Sequence, residues 1–284
     1  MSTRPLIALA KWDWPLPVRR SAGALLLAVL ALPASAHDTW LSVHSSPAPQ
    51  LLALSLSTGN QFPLQESGHE LSGVARSGCV DATGRALPLR PRESTTSALL
   101  LRVRIAAAGE SAMSCWVSMR PQKAELSPEA VDEYFKEIQA PATVRETWDA
   151  LRRQGVPWRE TYIKHARIEF VPGAATKPAD LRRMRQPAGQ GLEILPTGPA
   201  AARVGQALTV AILDDGRPLR SQPVQLISER LPIGVWRVTD EQGQVTFPFP
   251  FGGRWMLRLT KLVPPSTPQD EWVGKFSTLV VEPL

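Results

Sequence analysis

The sequence predicts a mainly β protein built as two antiparallel β-sandwich domains, the first carrying a two-helix insertion. Three observations lead there. Short β-prone runs separated by Gly, Pro and Ser clusters fill residues 40–119. Two amphipathic helical patterns interrupt them between residues 127 and 155. Seven further short strands then crowd into fewer than a hundred residues, at the spacing expected of a sandwich.

The elements follow in order. Residues 1–36 read as a cleaved export signal. The run SAGALLLAVLAL is too short to span a bilayer, which takes roughly 20 apolar residues. Arg4, Lys11, Arg19 and Arg20 precede it or flank it, and Ala34-Ser35-Ala36 supplies the small-x-small cleavage pattern. Cleavage after Ala36 makes His37 the first residue of a periplasmic or secreted chain. In the 37–170 domain, strands are expected in LLALSLS, ALLLRVRI, SCWVSM and TYIKHARIEF. Within the insertion, Ser127 caps a helix that starts at Pro128 and lines up Val131, Tyr134, Phe135 and Ile138 on one stripe. Thr143 and Glu146 read as the capping box of a second helix, ended by Gly155. Residues 171–191, rich in Pro, Gly, Ala and Arg and without periodicity, read as a linker or long mobile loop. The 192–284 domain carries LEILP, ALTVAIL, PVQLISE, VWRVTD, QVTFPF, RWMLRLT and KFSTLVVE, with turn chemistry at Asp214-Asp215-Gly216 and Asp240 to Gly243.

Charge and composition exclude some functions. The net charge of +6 drops to +3 once the signal, with four cations and one acid, is gone. The remaining basic clusters, LRRQ and LRRMRQ, have no aromatic residues interleaved within them on which bases would stack, so no nucleic-acid partner is expected. No second apolar segment reaches spanning length, so no membrane span is expected after cleavage. A nucleophile elbow, a glycine-rich phosphate loop and the HExxH pattern are all missing, and the chain is not expected to be an enzyme. Cys79 and Cys115, an even pair without CxxC spacing in an exported chain, are expected to form a disulfide stapling two strands. Of the seven mature tryptophans, Trp236, Trp255 and Trp272 fall in strand runs and are expected in the core.

The start AHDTWL, the segments STGNQFP and TYIKHA, and the closing series from LEILP to FSTLVVE together resemble a family of exported bacterial proteins of unassigned function, described as the substrate-specific region of nickel uptake. The resemblance spans the whole mature chain. Its last half is also similar to transthyretin-like and carboxypeptidase-regulatory modules, which implies an immunoglobulin-like or prealbumin-like sandwich in which the glycines and aspartates form turns. Asn60 departs from the charged or imidazole side chain that the family pattern favours there.

The nickel label implies a periplasmic protein that handles a divalent transition metal, nickel, copper or cobalt, as an accessory to a membrane transporter. A mature His37 suits this, because its α-amine and Nδ1 can chelate one ion. The amine ordinarily titrates at about 7.7 to 8.0, so binding displaces a proton and weakens in acid. The remaining ligands are expected among His165, His69 and His44. His44 lies seven residues beyond His37, on the opposite face of a regular strand; His69 sits in a loop beside Glu66 and Glu70; His165 shares a strand face with Ile163 and Arg167, opposite Tyr162 and Ala166. An amino-terminal histidine on a β-sandwich also resembles the copper brace of lytic polysaccharide oxidases, but Tyr134 and Tyr162 lack the motif context of their axial tyrosine. The alternative is a metal-free periplasmic binding or adhesion module.

Overall fold

The computed structural model describes residues 37–44, 48, 50–105, 112–171, 176–231 and 234–284. The expected signal, residues 1–36, lies outside them. In chain order the first strands are β1 (Asp38–His44), β2 (Leu51–Gly59), β3 (Val74–Asp81), β4 (Ala86–Leu87), β5 (Arg90–Ser94), β6 (Leu99–Arg104), β7 (Met113–Met119) and β8 (Gln122–Leu126). Helices α1 (Pro128–Glu137) and α2 (Ala142–Arg153) follow, then the long β9 (Trp158–Phe170) and α3 (Pro178–Met184). The chain closes with β10 (Leu192–Pro196), β11 (Ala207–Asp214), β12 (Arg217–Pro218), β13 (Pro223–Ser228), β14 (Val235–Val238), β15 (Gln244–Pro248), β16 (Trp255–Val263) and β17 (Trp272–Val281). Mainly β structure with a small helical insertion is what the sequence predicts, and all seven strands expected after residue 191 are present. Among the described residues no helix is long and apolar enough to cross a membrane.

The division into two sandwiches joined by a linker needs correction. One nine-stranded sheet runs through both halves in the order β14-β13-β16-β17-β9-β7-β3-β4, with β8 also paired to β9. Its seam is a parallel pairing of β9 with β17, in register from Glu160 with Trp272 to Glu169 with Val281. The sheet β1-β2-β6-β5 covers one face, and a second small sheet of β10, β11, β12 and β15 covers the other. Side-chain alternation establishes the three layers. On β17, Val280 joins the core under the first small sheet while Leu279 and Val281 join the core under the second. On β16, Met256 joins the first core, and Trp255, Leu257 and Leu259 join the second. A sheet covered on both faces buries every position, which is why PVQLIS of β13 has no exposed residue.

Residues 171–191 are not wholly loop. Short helix α3 buries Leu181 and Met184, and seven residues are too few to display a period. Arg185, just after it, pairs with Glu169 of β9 and donates to the carbonyls of Gly198 (2.6 Å) and Ala200 (3.0 Å). Both charged side chains are almost completely buried.

Cys79 and Cys115 are directly opposite each other on β3 and β7 and form the expected disulfide, with Cα atoms 4.0 Å apart. Closing a loop of this length stabilises the fold by roughly 3–4 kcal/mol on the chain-entropy model. Trp255 and Trp272 are buried as expected, whereas Trp236 is only half-buried on the edge strand β14.

Helices α1 and α2 pack beside the first small sheet, on the face of β9 and β17 that presents Trp158 and Trp272. Ser127 caps α1 as expected, accepting from the Ala130 N–H at 3.3 Å. The Thr143 capping box does not form: Pro141, with φ fixed near −57°, takes the cap position and α2 starts earlier. Under the helices, the carboxylate of Glu160 accepts from Trp158 Nε1 (3.1 Å) and Tyr134 Oη (3.2 Å). Gly274 makes room for it, since a Cβ there would sit 1.9 Å from Glu160 Oε1.

Burial raises the Glu160 carboxyl from 4.5 to about 7. The folded state therefore holds a proton that the unfolded chain has lost, and stability from this group is present below pH 4.5 and lost as pH rises through 7. Glu160→Gln is expected to remove that loss, about 3 kcal/mol at most by the size of the shift. Thermal melts of both proteins from pH 4.5 to 8 check this, and parallel curves for the two would refute it.

Candidate functional site

The amino-terminal residues of the described chain are fixed one by one. Lys164 Nζ donates to the His37 carbonyl at 2.7 Å. Asp38 pairs with Arg258 of β16. The Thr39 carbonyl accepts from Thr278 Oγ1 of β17 at 2.7 Å, and its hydroxyl bonds Thr58 Oγ1 at 2.6 Å. Trp40, fully buried, meets Phe62 edge-on at 5.6 Å. The HDTW and STGNQFP segments are thus two sides of one contact. Gly59 is needed where they meet, because a Cβ there would lie 2.6 Å from the Leu64 carbonyl and 3.0 Å from the Trp40 ring.

Beside this contact lies a cavity of about 250 Å³, lined among others by His37, Thr58, His69, Arg120, Gln122, Tyr162 and Lys164. A larger cleft of about 630 Å³ opens near the end of the chain, between Val43, Phe170, Arg254 and Leu284, and no histidine lines it. His69 Nε2 is 2.8 Å from Thr58 Oγ1. Burial, with Lys164 nearby, lowers the His69 imidazole to about 4, so it is neutral at pH 7, the form that offers a lone pair. Lys164 is itself lowered to about 8 by burial, against the opposing pull of Asp38 and Glu160. Its ammonium lies over the rings of Tyr162 (5.6 Å) and Phe276 (5.7 Å). Tyr162 Oη donates to Gln122 Oε1 at 2.7 Å.

Of the four histidines proposed from sequence, the fold brings together His37 and His69 and separates the other two. His165 follows Lys164 on β9 and so faces the opposite side of the sheet. There it is buried, its Nδ1 3.1 Å from Ser118 Oγ, with burial lowering its imidazole to about 4. Gly191 packs against it, where a Cβ would lie 3.5 Å from Nε2. His44 is exposed at the far end of β1, paired in register with Ala53, while the Thr39–Thr58 pair marks the cavity end. Asn60 does not line the cavity; its backbone and side-chain N–H groups hold Glu66 at 3.2 Å.

Sequence reasoning missed Lys164, Tyr162, Thr58, Gln122 and Arg120 as site residues. Two of them were within reach: period-two alternation along TYIKHA puts Tyr162 and Lys164 on one face. Among the described residues no three His, Cys, Asp or Glu side chains group so as to hold a metal. Any ion here would have the two imidazoles of His37 and His69 as its nitrogen donors, a ligand type suited to nickel or copper.

Fold and site together define a β-rich protein of three stacked sheets with a small cationic, imidazole-lined cavity beside its first strand. The chain belongs to the family described as Domain of unknown function (DUF4198), whose model matches residues 34–261. No curated protein matches it. Among solved structures it is similar to the D0-D1 domain of Intimin, at 12% identity and a TM-score of 0.20, over 87% of this chain and 97% of that one.

Proposed function

We propose that this is an exported, periplasmic protein that binds a divalent transition metal, nickel, copper or cobalt, through His37 and His69, as an accessory to a membrane transporter. The observation carrying this reading is convergence. The three segments behind the family resemblance, HDTW, STGNQFP and TYIKHA, contribute His37, Thr58 and the Tyr162–Lys164 pair to one cavity that His69 also lines. The export reading and the nickel label come from the sequence. In this reading Thr58 orients the His69 ring through Nε2 and leaves Nδ1 for the ion, as partners behind a metal ligand commonly do. The role is binding and delivery, with no bond made or broken.

Calorimetric titration with nickel(II) and copper(II) at pH 7.5 tests this on three proteins: the chain beginning at His37, the same chain with one residue added before it, and His69→Ala. Adding a residue turns the amine into an amide, a poor ligand, and is expected to weaken binding at least tenfold; His69→Ala is expected to do the same. Equal affinity in all three, or no binding at micromolar protein, sinks the reading and leaves a metal-free binding module.

A further inference from the structure

The cavity beside β1 carries positive charge that no carboxylate on its wall balances. Lys164 and Arg120 line it, and no Asp or Glu of the described residues does. The carboxylates behind Lys164 are engaged elsewhere: Asp38 pairs with Arg258, and Glu160 is held by Trp158 and Tyr134. A recess lined by one sign of charge concentrates ions of the other sign. Its donors are also held ready. Arg120 is anchored by Nε to the Ser72 carbonyl at 2.8 Å, and its Nη1 and Nη2 have no partner among the described residues. Tyr162 Oη occupies the Gln122 carbonyl oxygen at 2.7 Å, so the amide nitrogen is the end left to donate. The His37 carbonyl takes one of the three N–H donors of Lys164.

We infer that this cavity is a binding site for a small dicarboxylate, an inference that stands on the charge of the cavity and does not rest on the metal reading. One carboxylate meets the Arg120 fork, whose paired N–H groups match its planar geometry, with the Gln122 amide as a further donor. The other meets Lys164. The two cations stand on different elements, Arg120 in the turn between β7 and β8 and Lys164 on β9, which suits a ligand charged at both ends. Met119 and Tyr162 add apolar surface to the lining, which suits a carbon skeleton better than a bare inorganic oxyanion. The volume of about 250 Å³, the space of roughly eight waters at about 30 Å³ each, admits a skeleton of about four carbons.

The test uses the chain beginning at His37, passed over chelating resin and titrated calorimetrically at pH 7.5 with succinate, malate, inorganic phosphate and nickel(II) chloride in separate runs. The expected result is one succinate or malate bound per chain, with phosphate at least tenfold weaker. Arg120→Met, which keeps the Arg120 backbone bond to the Gly73 carbonyl, is expected to weaken dicarboxylate binding at least fivefold. Gln122→Glu, which keeps an acceptor for Tyr162 but adds a carboxylate, is expected to weaken it at least tenfold, whereas a cation would bind this variant more tightly. Both side chains are exposed, and matching thermal melts confirm that the variants fold. If neither dicarboxylate binds at millimolar concentration, or if both variants bind it as well as the parent chain, the inference is overturned, and nickel binding alone then decides the metal reading. Phosphate bound as tightly as the dicarboxylates overturns it in favour of an unselective anion site. Dicarboxylate binding as expected, with no heat from nickel, leaves the inference standing and the metal reading refuted.

Discussion

Residues 192–284 expressed alone are expected not to fold, although their seven predicted strands have the pattern of a complete sandwich. Three losses explain it. Strand β17 loses β9, its parallel partner over ten register positions, and exposes an unpaired edge in the middle of the sheet. Ile227, Met256 and Val280 lose the first small sheet and become an apolar surface, which favours aggregation. Glu193, almost completely buried against Arg167 at 2.7 Å, is left without its cation. Each loss is of the order of the few kcal/mol by which domains are stable, and together they exceed it. A fragment with dispersed amide resonances and a cooperative melt would show that the second core suffices by itself.

The contrast marks what was legible in the sequence. Strands of the last half could be read because their turns are local: Asp215 and Gly216 take positive φ (49° and 78°), as does Gly243 (69°), where Asp and Gly are the expected residues. Pairing of β9 with β17 joins segments more than a hundred residues apart, and nothing local encodes it. A weaker signal is present, since the adjacent apolar residues Leu279-Val280-Val281 and Leu226-Ile227 break strict alternation and fit strands covered on both faces better than an alternating sandwich strand. The site divides the same way. His37 was identified from the cleavage pattern and His69 as one of few imidazoles. His165 is a candidate by residue type, equal to His69 and His44, but alternation along β9 places it on the face opposite Lys164. Thr58 and Arg120 carry no distinguishing pattern, and only the fold brings them to the cavity.

Arg185→Ala is expected to destabilise the protein by about 3–5 kcal/mol, the range for breaking one partner out of a buried ion pair. Glu169 accepts two bonds from this guanidinium, Nε at 2.8 Å and Nη2, and both side chains are about as buried as core leucines. Truncation leaves that carboxylate desolvated and uncompensated, and also orphans the Gly198 and Ala200 carbonyls, which Nη1 serves. The effect belongs to a position that the sequence marks as linker, where substitution ordinarily costs little. Arg185→Lys is expected to fall between the two, because an ammonium keeps the charge but cannot reach two carboxylate oxygens and two carbonyls with one fork. Urea denaturation of the three proteins at pH 7 measures this. A loss below 1 kcal/mol for Arg185→Ala would mean that water replaces the guanidinium and that residues 171–191 are held more loosely than the Arg185–Glu169 pair implies.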